Sequence, residues 1–220
     1  MGKRLAGFAA AAIRLFTRPM NITWEEPYQS GPCVFVVSRD GPADPALIAA
    51  RFPLRDRCHM WIQNEMLETK TARAFIRREG WWRKGSFMEP VHRTVIPVLA
   101  GAAVPPVLRS LPHIPVYTDR RIMLTLREST RVLRRDECVV IFPEAPAQAA
   151  SGRRPWISTG FLRLGELGYR ACGRALKFYP VRVNREKRLF EVGKPVRYDP
   201  ARRFSEQEKE IADQLAAWLR

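Results

Sequence analysis

The run Cys33-Val34-Phe35-Val36-Val37, between Pro32 and Ser38, is five apolar residues without a polar break. A strand with one face in water alternates polar and apolar residues. An unbroken run is covered on both faces, as in the middle of a parallel sheet sandwiched by helices. Val139-Val140-Ile141-Phe142 repeats the pattern. Further strands are predicted at Met20 to Glu25, Cys58 to Gln63, Ile114 to Tyr117, Leu176 to Val183 and Leu189 to Gly193. Helical spacing marks Ile122 to Leu133 and Phe161 to Gly168. A helix opens at Asp44-Pro45, with Asp44 as N-cap, and the last helix runs to Leu219 from the capping box Ser205-Glu206-Gln207-Glu208. Glu65 to Pro112 reads as helical and irregular. The alternation predicts a three-layer α/β fold, and 220 residues suit a single domain, 1–220.

With Lys+Arg 38 against Asp+Glu 22, the net charge is +16, which implies a polyanionic neighbour: nucleic acid, an anionic membrane face or a phosphorylated substrate. The basic residues are spread along the chain and no nucleic-acid-binding signature accompanies them, so nucleic acid is the weakest of the three. Apolar residues at 46% and charged residues at 27% exclude disorder and a multi-span membrane protein. Cys33, Cys58, Cys138 and Cys172 form no Cys-x-x-Cys and read as reduced core thiols of a cytoplasmic protein. His59, His92 and His113 have no metal-ligand spacing, so no metal site is expected. Residues 1–18 have the pattern of an amphipathic helix, either interfacial or packed on the domain's own core; Arg14 cuts its apolar stretch far short of a membrane span. Trp81-Trp82-Arg83-Lys84-Gly85-Ser86-Phe87 mixes aromatic and basic residues, as an interfacial loop does and as an exposed loop without a partner also can.

Ligand-handling loops of open α/β folds lie beyond the carboxyl ends of the strands. Two such segments are Ser38-Arg39-Asp40-Gly41-Pro42-Ala43-Asp44 and Phe142-Pro143-Glu144-Ala145-Pro146. Between them stands Ile114-Pro115-Val116-Tyr117-Thr118-Asp119-Arg120-Arg121; after them come Gly160-Phe161-Leu162-Arg163-Leu164 and Tyr179-Pro180-Val181. In order and spacing, from Pro32 to Pro195, these resemble the 1-acylglycerol-3-phosphate acyltransferases, the glycerolipid acyltransferase family. The resemblance implies a mixed central sheet flanked by helices and an Asn-His-x-x-x-x-Asp loop, in which the histidine takes the acceptor's proton and the aspartate orients it. It also implies a strand ending in a phosphate-binding arginine and a Phe-Pro-Glu-Gly loop.

On this pattern Asp44 falls on the aspartate, while Ser38 and Arg39 replace the asparagine and the histidine. Arginine stays protonated and has no acceptor, so Arg39 cannot serve as a general base. Thr118 stands at the arginine position, with Arg120 and Arg121 close enough to take over. Phe142, Pro143 and Glu144 are kept, but Ala145-Pro146-Ala147 replaces the Gly-Thr-Arg that usually follows. The implied activity is transfer of a fatty acyl group from acyl carrier protein or coenzyme A, without a resident cofactor, to a lysophospholipid or glycerol phosphate acceptor. The implied place is an anionic membrane surface, peripheral on the inner face of the cell membrane. The alternative is a catalytically silent member of the fold that binds lipid or a partner enzyme, and Arg39 at the base position favours it. An ion pair between Arg39 and Asp44 is expected on either view, and a base supplied by one of the three histidines remains a minor alternative.

Overall fold

A computed structural model describes residues 17–38, 44–80, 87–117, 119–143 and 159–219. The chain builds β1 (Asn21–Trp24), β2 (Cys33–Val37), α1 (Asp44–Arg51), a 3₁₀ turn (Arg55–Arg57), β3 (Cys58–Gln63), α2 (Asn64–Leu67), α3 (Thr69–Glu79), α4 (Glu89–Ser110) and β4 (His113–Val116). It continues through α5 (Ile122–Leu133), β5 (Cys138–Ile141), a second 3₁₀ turn (Thr159–Leu162), α6 (Arg163–Cys172), β6 (Lys177–Asn184), β7 (Leu189–Val192), β8 (Val196–Arg197) and α7 (Phe204–Leu219). The strands form one sheet in the order β1-β7-β6-β2-β5-β3-β4, with β8 added beside the start of β6. From β6 to β4 the strands are parallel, whereas β7 and β8 run antiparallel to β6 and β1 runs parallel to β7. The sheet is therefore mixed.

β2 lies at its centre, with no residue more than 1% exposed. Because successive side chains point to opposite faces, Cys33, Phe35 and Val37 join the core under α1 and α3, while Val34 and Val36 join the core under α5, α6 and α7. This double covering explains the unbroken apolar run and gives the three layers. On the first face Phe35, Phe52, Tyr179 and Phe190 form a chain of ring contacts, with centroids 5.1 to 5.6 Å apart. On the other, Gly165 of α6 lets the helix close on Tyr198; a Cβ there would lie 2.8 Å from the ring.

Two local expectations are corrected. The last helix begins at Phe204, so Ser205 lies within it and is not its cap. The side chain that ties this end down is Gln207: its Oε1 accepts from Asp199 N (2.8 Å), and its Nε2 donates to the carbonyls of Asp199 (2.8 Å) and Arg202 (3.1 Å). Within Glu65 to Pro112 the structure places three helices, and α4 alone runs for 22 residues through Pro97, Pro105 and Pro106. Residues 1–16 and 81–86 lie outside the described residues. Thr17 is held to the end of α1, its Oγ1 accepting from Arg51 Nε (3.3 Å) and its carbonyl from Arg51 Nη2 (2.5 Å).

Candidate functional site

β6, β2 and β5 are neighbours in the sheet, so their carboxyl ends stand side by side, about 4.8 Å apart. Three segments distant in sequence leave the sheet together there: Ser38 toward α1, Phe142-Pro143 after β5, and Arg185 after β6. Ser38 is buried, and its amide donates to Val181 O (2.9 Å). Pro143 is buried, and Phe142 packs partly against the core.

Asp44 is the first residue of α1 and is 0% exposed. A carboxylate at a helix N-terminus is favoured by the helix dipole, but complete removal from water needs a stronger partner. That partner is Arg185. β6 continues past its last pairing with β2, Val37 with Val181, as far as Asn184. The overhang carries Arg185 above the end of β2, and its Nε (2.9 Å) and Nη2 (2.5 Å) both donate to Asp44 Oδ1. The arginine side chain is itself 45% exposed, so the pair presents a cation to solvent and hides the carboxylate. Arg39, expected to face Asp44, lies outside the described residues, as do Thr118 and Glu144. No sequence signal near Asp44 points to Arg185, because the pairing spans 141 residues and depends on β6 lying beside β2.

A fourth segment arrives from β4, two strands beyond β5 and so about 10 Å to the side. Thr125 of α5 fixes its exit: Thr125 Oγ1 donates to Pro115 O (2.8 Å) and accepts from Tyr117 N (3.3 Å). Arg121 is occupied. Its Nε and Nη2 lie 2.9 to 3.1 Å from the Asp119 carboxylate, and its guanidinium rests 4.5 Å from the Tyr117 ring centroid. The hydrogen bonds from Arg121 hold the Asp119 carboxyl below the usual carboxylate range. Arg120 is exposed and has no ion-pair partner among the described residues.

The histidines stand elsewhere. His59 and His113 sit at the amino ends of β3 and β4, at the opposite edge from Asp44; His59 Nε2 is 3.0 Å from Glu137 Oε2, and His113 Nδ1 is 2.8 Å from Leu111 O. His92 belongs to α4. That amino edge also collects the thiols. In register on neighbouring strands, Cys33 pairs with Cys138 and Cys138 with Cys58, all three buried. The Cys33 and Cys138 sulfurs are 3.3 Å apart, and Tyr28 Oη is 3.6 Å from Cys138 Sγ. Burial pushes the Cys33 thiol well up, while hydrogen bonds from Cys33 and Cys58 make Cys138 the most acidic of the group. A small cavity of about 20 Å³, room for a single water, lies between α1 and β3, lined by Ile48, Cys58, Met60 and Leu111, near these thiols and away from Asp44.

No protein-family model and no curated protein matches the sequence. Among solved structures the chain is similar to the crystal structure of the 1-acyl-sn-glycerophosphate (LPA) acyltransferase from Thermotoga maritima. The identity is 13% and the TM-score 0.46, over 99% of this chain and 78% of that one.

Proposed function

We propose that the protein is of the glycerolipid acyltransferase type and works at the inner face of an anionic membrane. There it passes a fatty acyl group from acyl carrier protein or coenzyme A to a lysophospholipid or glycerol phosphate acceptor. The observation that carries this reading is that Asp44, which follows β2, and Phe142 and Pro143, which follow β5, come off the carboxyl ends of adjacent parallel strands. Segments nearly a hundred positions apart, matched in order to the motifs of that family, reach one edge of the sheet. Arg120 supports an acceptor phosphate, because its charge is not already spent on a carboxylate among the described residues, as that of Arg121 is.

In such a transfer the acceptor oxygen attacks the thioester carbonyl, the carbon–sulfur bond breaks, and the hydroxyl proton leaves as the thiol departs. Arg39 cannot accept that proton. Turnover then rests on positioning and on cationic stabilisation of the developing oxyanion, without the ~10²–10⁴-fold that a general base supplies. The Asp44–Arg185 pair favours a second reading, lipid binding without turnover, because the carboxylate that would orient an imidazole is held by a guanidinium.

Transfer of a labelled acyl group from either donor to lysophosphatidic acid separates the two. Slow turnover is expected of the unaltered protein. Arg39→His should raise it, and Arg39→His with Arg185→Gln should raise it further, up to ~10²-fold, by releasing Asp44 for the imidazole. Asp44→Asn should cancel the gain. No turnover in any folded variant, with lysophospholipid still bound, would establish the binding reading.

A further inference from the structure

α4 is built the wrong way round for a helix bathed in water. From Thr94 to Leu108 it carries no charged residue, yet only 17% of its most apolar stretch is buried. Its buried positions are Pro97, Gly101 and Pro105, four residues apart, which form one stripe. That stripe lies on α3 at close range: a Cβ on Gly101 would be 3.1 Å from Arg73 Cα. Ile96, Val104 and Leu108 pack partly against the core, but another row of large side chains points outward. Val91, Val95 and Leu99, again four apart, are 49%, 43% and 65% exposed, and Phe87 just before the helix is 98% exposed.

Beside this apolar face runs a basic one. Lys70, Arg73 and Arg77 are exposed on α3 at spacings of three and four, hence along one face, and none has a carboxylate at ion-pair distance among the described residues. Unpaired cations flanking an uncharged apolar stripe complement an anionic lipid leaflet, whose phosphates and acyl chains are stacked in that order. A second copy of the chain fits poorly, since a two-fold contact through α4 would bring the two basic stripes together in molecules of net charge +16. At 22 residues, about 33 Å, α4 is long enough to cross a bilayer. The helix packed along it forbids that, because crossing would draw Lys70, Arg73 and Arg77 into hydrocarbon.

We propose that α4 lies flat in one leaflet of an anionic membrane. Phe87, Val91, Val95 and Leu99 enter the acyl region, and Lys70, Arg73 and Arg77 meet the headgroup phosphates. The proposal rests on the membrane-surface part of the function proposed above, and not on turnover.

The test is flotation of the full chain with vesicles of phosphatidylcholine and phosphatidylglycerol, against phosphatidylcholine alone, with light scattering of the free protein. The unaltered chain should float with the anionic vesicles. Val95→Glu combined with Leu99→Glu, both at exposed positions, should cut the bound-to-free ratio at least tenfold, or roughly the loss from withdrawing one buried aliphatic side chain, with an unchanged circular dichroism spectrum. Lys70→Glu with Arg73→Glu should weaken binding to anionic vesicles and flatten its salt dependence. Flotation that survives both pairs of substitutions would overturn the assignment of this surface and leave the membrane reading standing. No flotation of the unaltered chain would overturn both. A dimer that Val95→Glu with Leu99→Glu dissociates, without flotation, would give α4 to a second copy and overturn the proposal.

Discussion

Among the described residues α7 and α4 are the two longest helices, and they spend their apolar side chains in opposite ways. α7 buries Phe204, Gln207, Ile211 and Leu215 at helical spacing and turns Glu206, Glu210 and Asp213 toward water. α4 buries two prolines and a glycine and turns Val91, Val95 and Leu99 outward. The hydrophobic effect explains α7 from the protein's own core alone. It accounts for Ile96, Val104 and Leu108 of α4, which pack on the core, and leaves the outward row to the membrane contact proposed above.

Truncation of the two faces gives the widest contrast. Ile211→Ala, at a position 3% exposed, should cost about 2–5 kcal/mol in denaturant unfolding, whereas Leu99→Ala, at 65%, should stay within about 0.5 kcal/mol. Equal losses would break the comparison, since Leu99 would then have a partner within the fold. A smaller effect tests whether α7 is as fully satisfied as it looks. Gln207→Ala removes the side chain that holds the backbone of Asp199 and Arg202, and should cost about 1–3 kcal/mol. The smallest test concerns how tightly α4 rests on α3. Alanine is the better helix former by up to ~1 kcal/mol, but Gly101→Ala drives a methyl group against the Arg73 backbone. The net change should be a loss of no more than about 1 kcal/mol. A gain would mean that the two helices ride further apart.

The central strands were legible because burial on both faces leaves an unmistakable pattern. β2 and β3 lie where the apolar runs put them, and β4, β5 and β6 within a residue. α4 was not legible for the same reason that makes it interesting: three internal prolines and an apolar surface on nearly every side erase helical periodicity. β8, a two-residue strand, is too short to leave any pattern. At the candidate site, Asp44 and the Phe142-Pro143 turn could be marked from local sequence, because each follows a recognisable strand. Arg185 could not. It is one arginine among many in the sequence, and only the overhang of β6 beyond β2 singles it out. The alignment of Cys33, Cys58 and Cys138 was hidden likewise, since strand order and register set it.

The position of β1 has a consequence in time. It pairs with β7, and Glu25 at its end accepts from the Lys194 amide, 169 residues away, and from the Trp218 indole, 193 residues away. At ~5–20 residues per second, a ribosome delivers those partners roughly eight to forty seconds after β1 has been made. The central strands can assemble meanwhile, and β1 must wait beside them with its backbone unpaired. An interrupted translation product ending before Leu189 would leave that strand without a berth and the flank of β6 uncovered, a ready template for pairing between nascent chains.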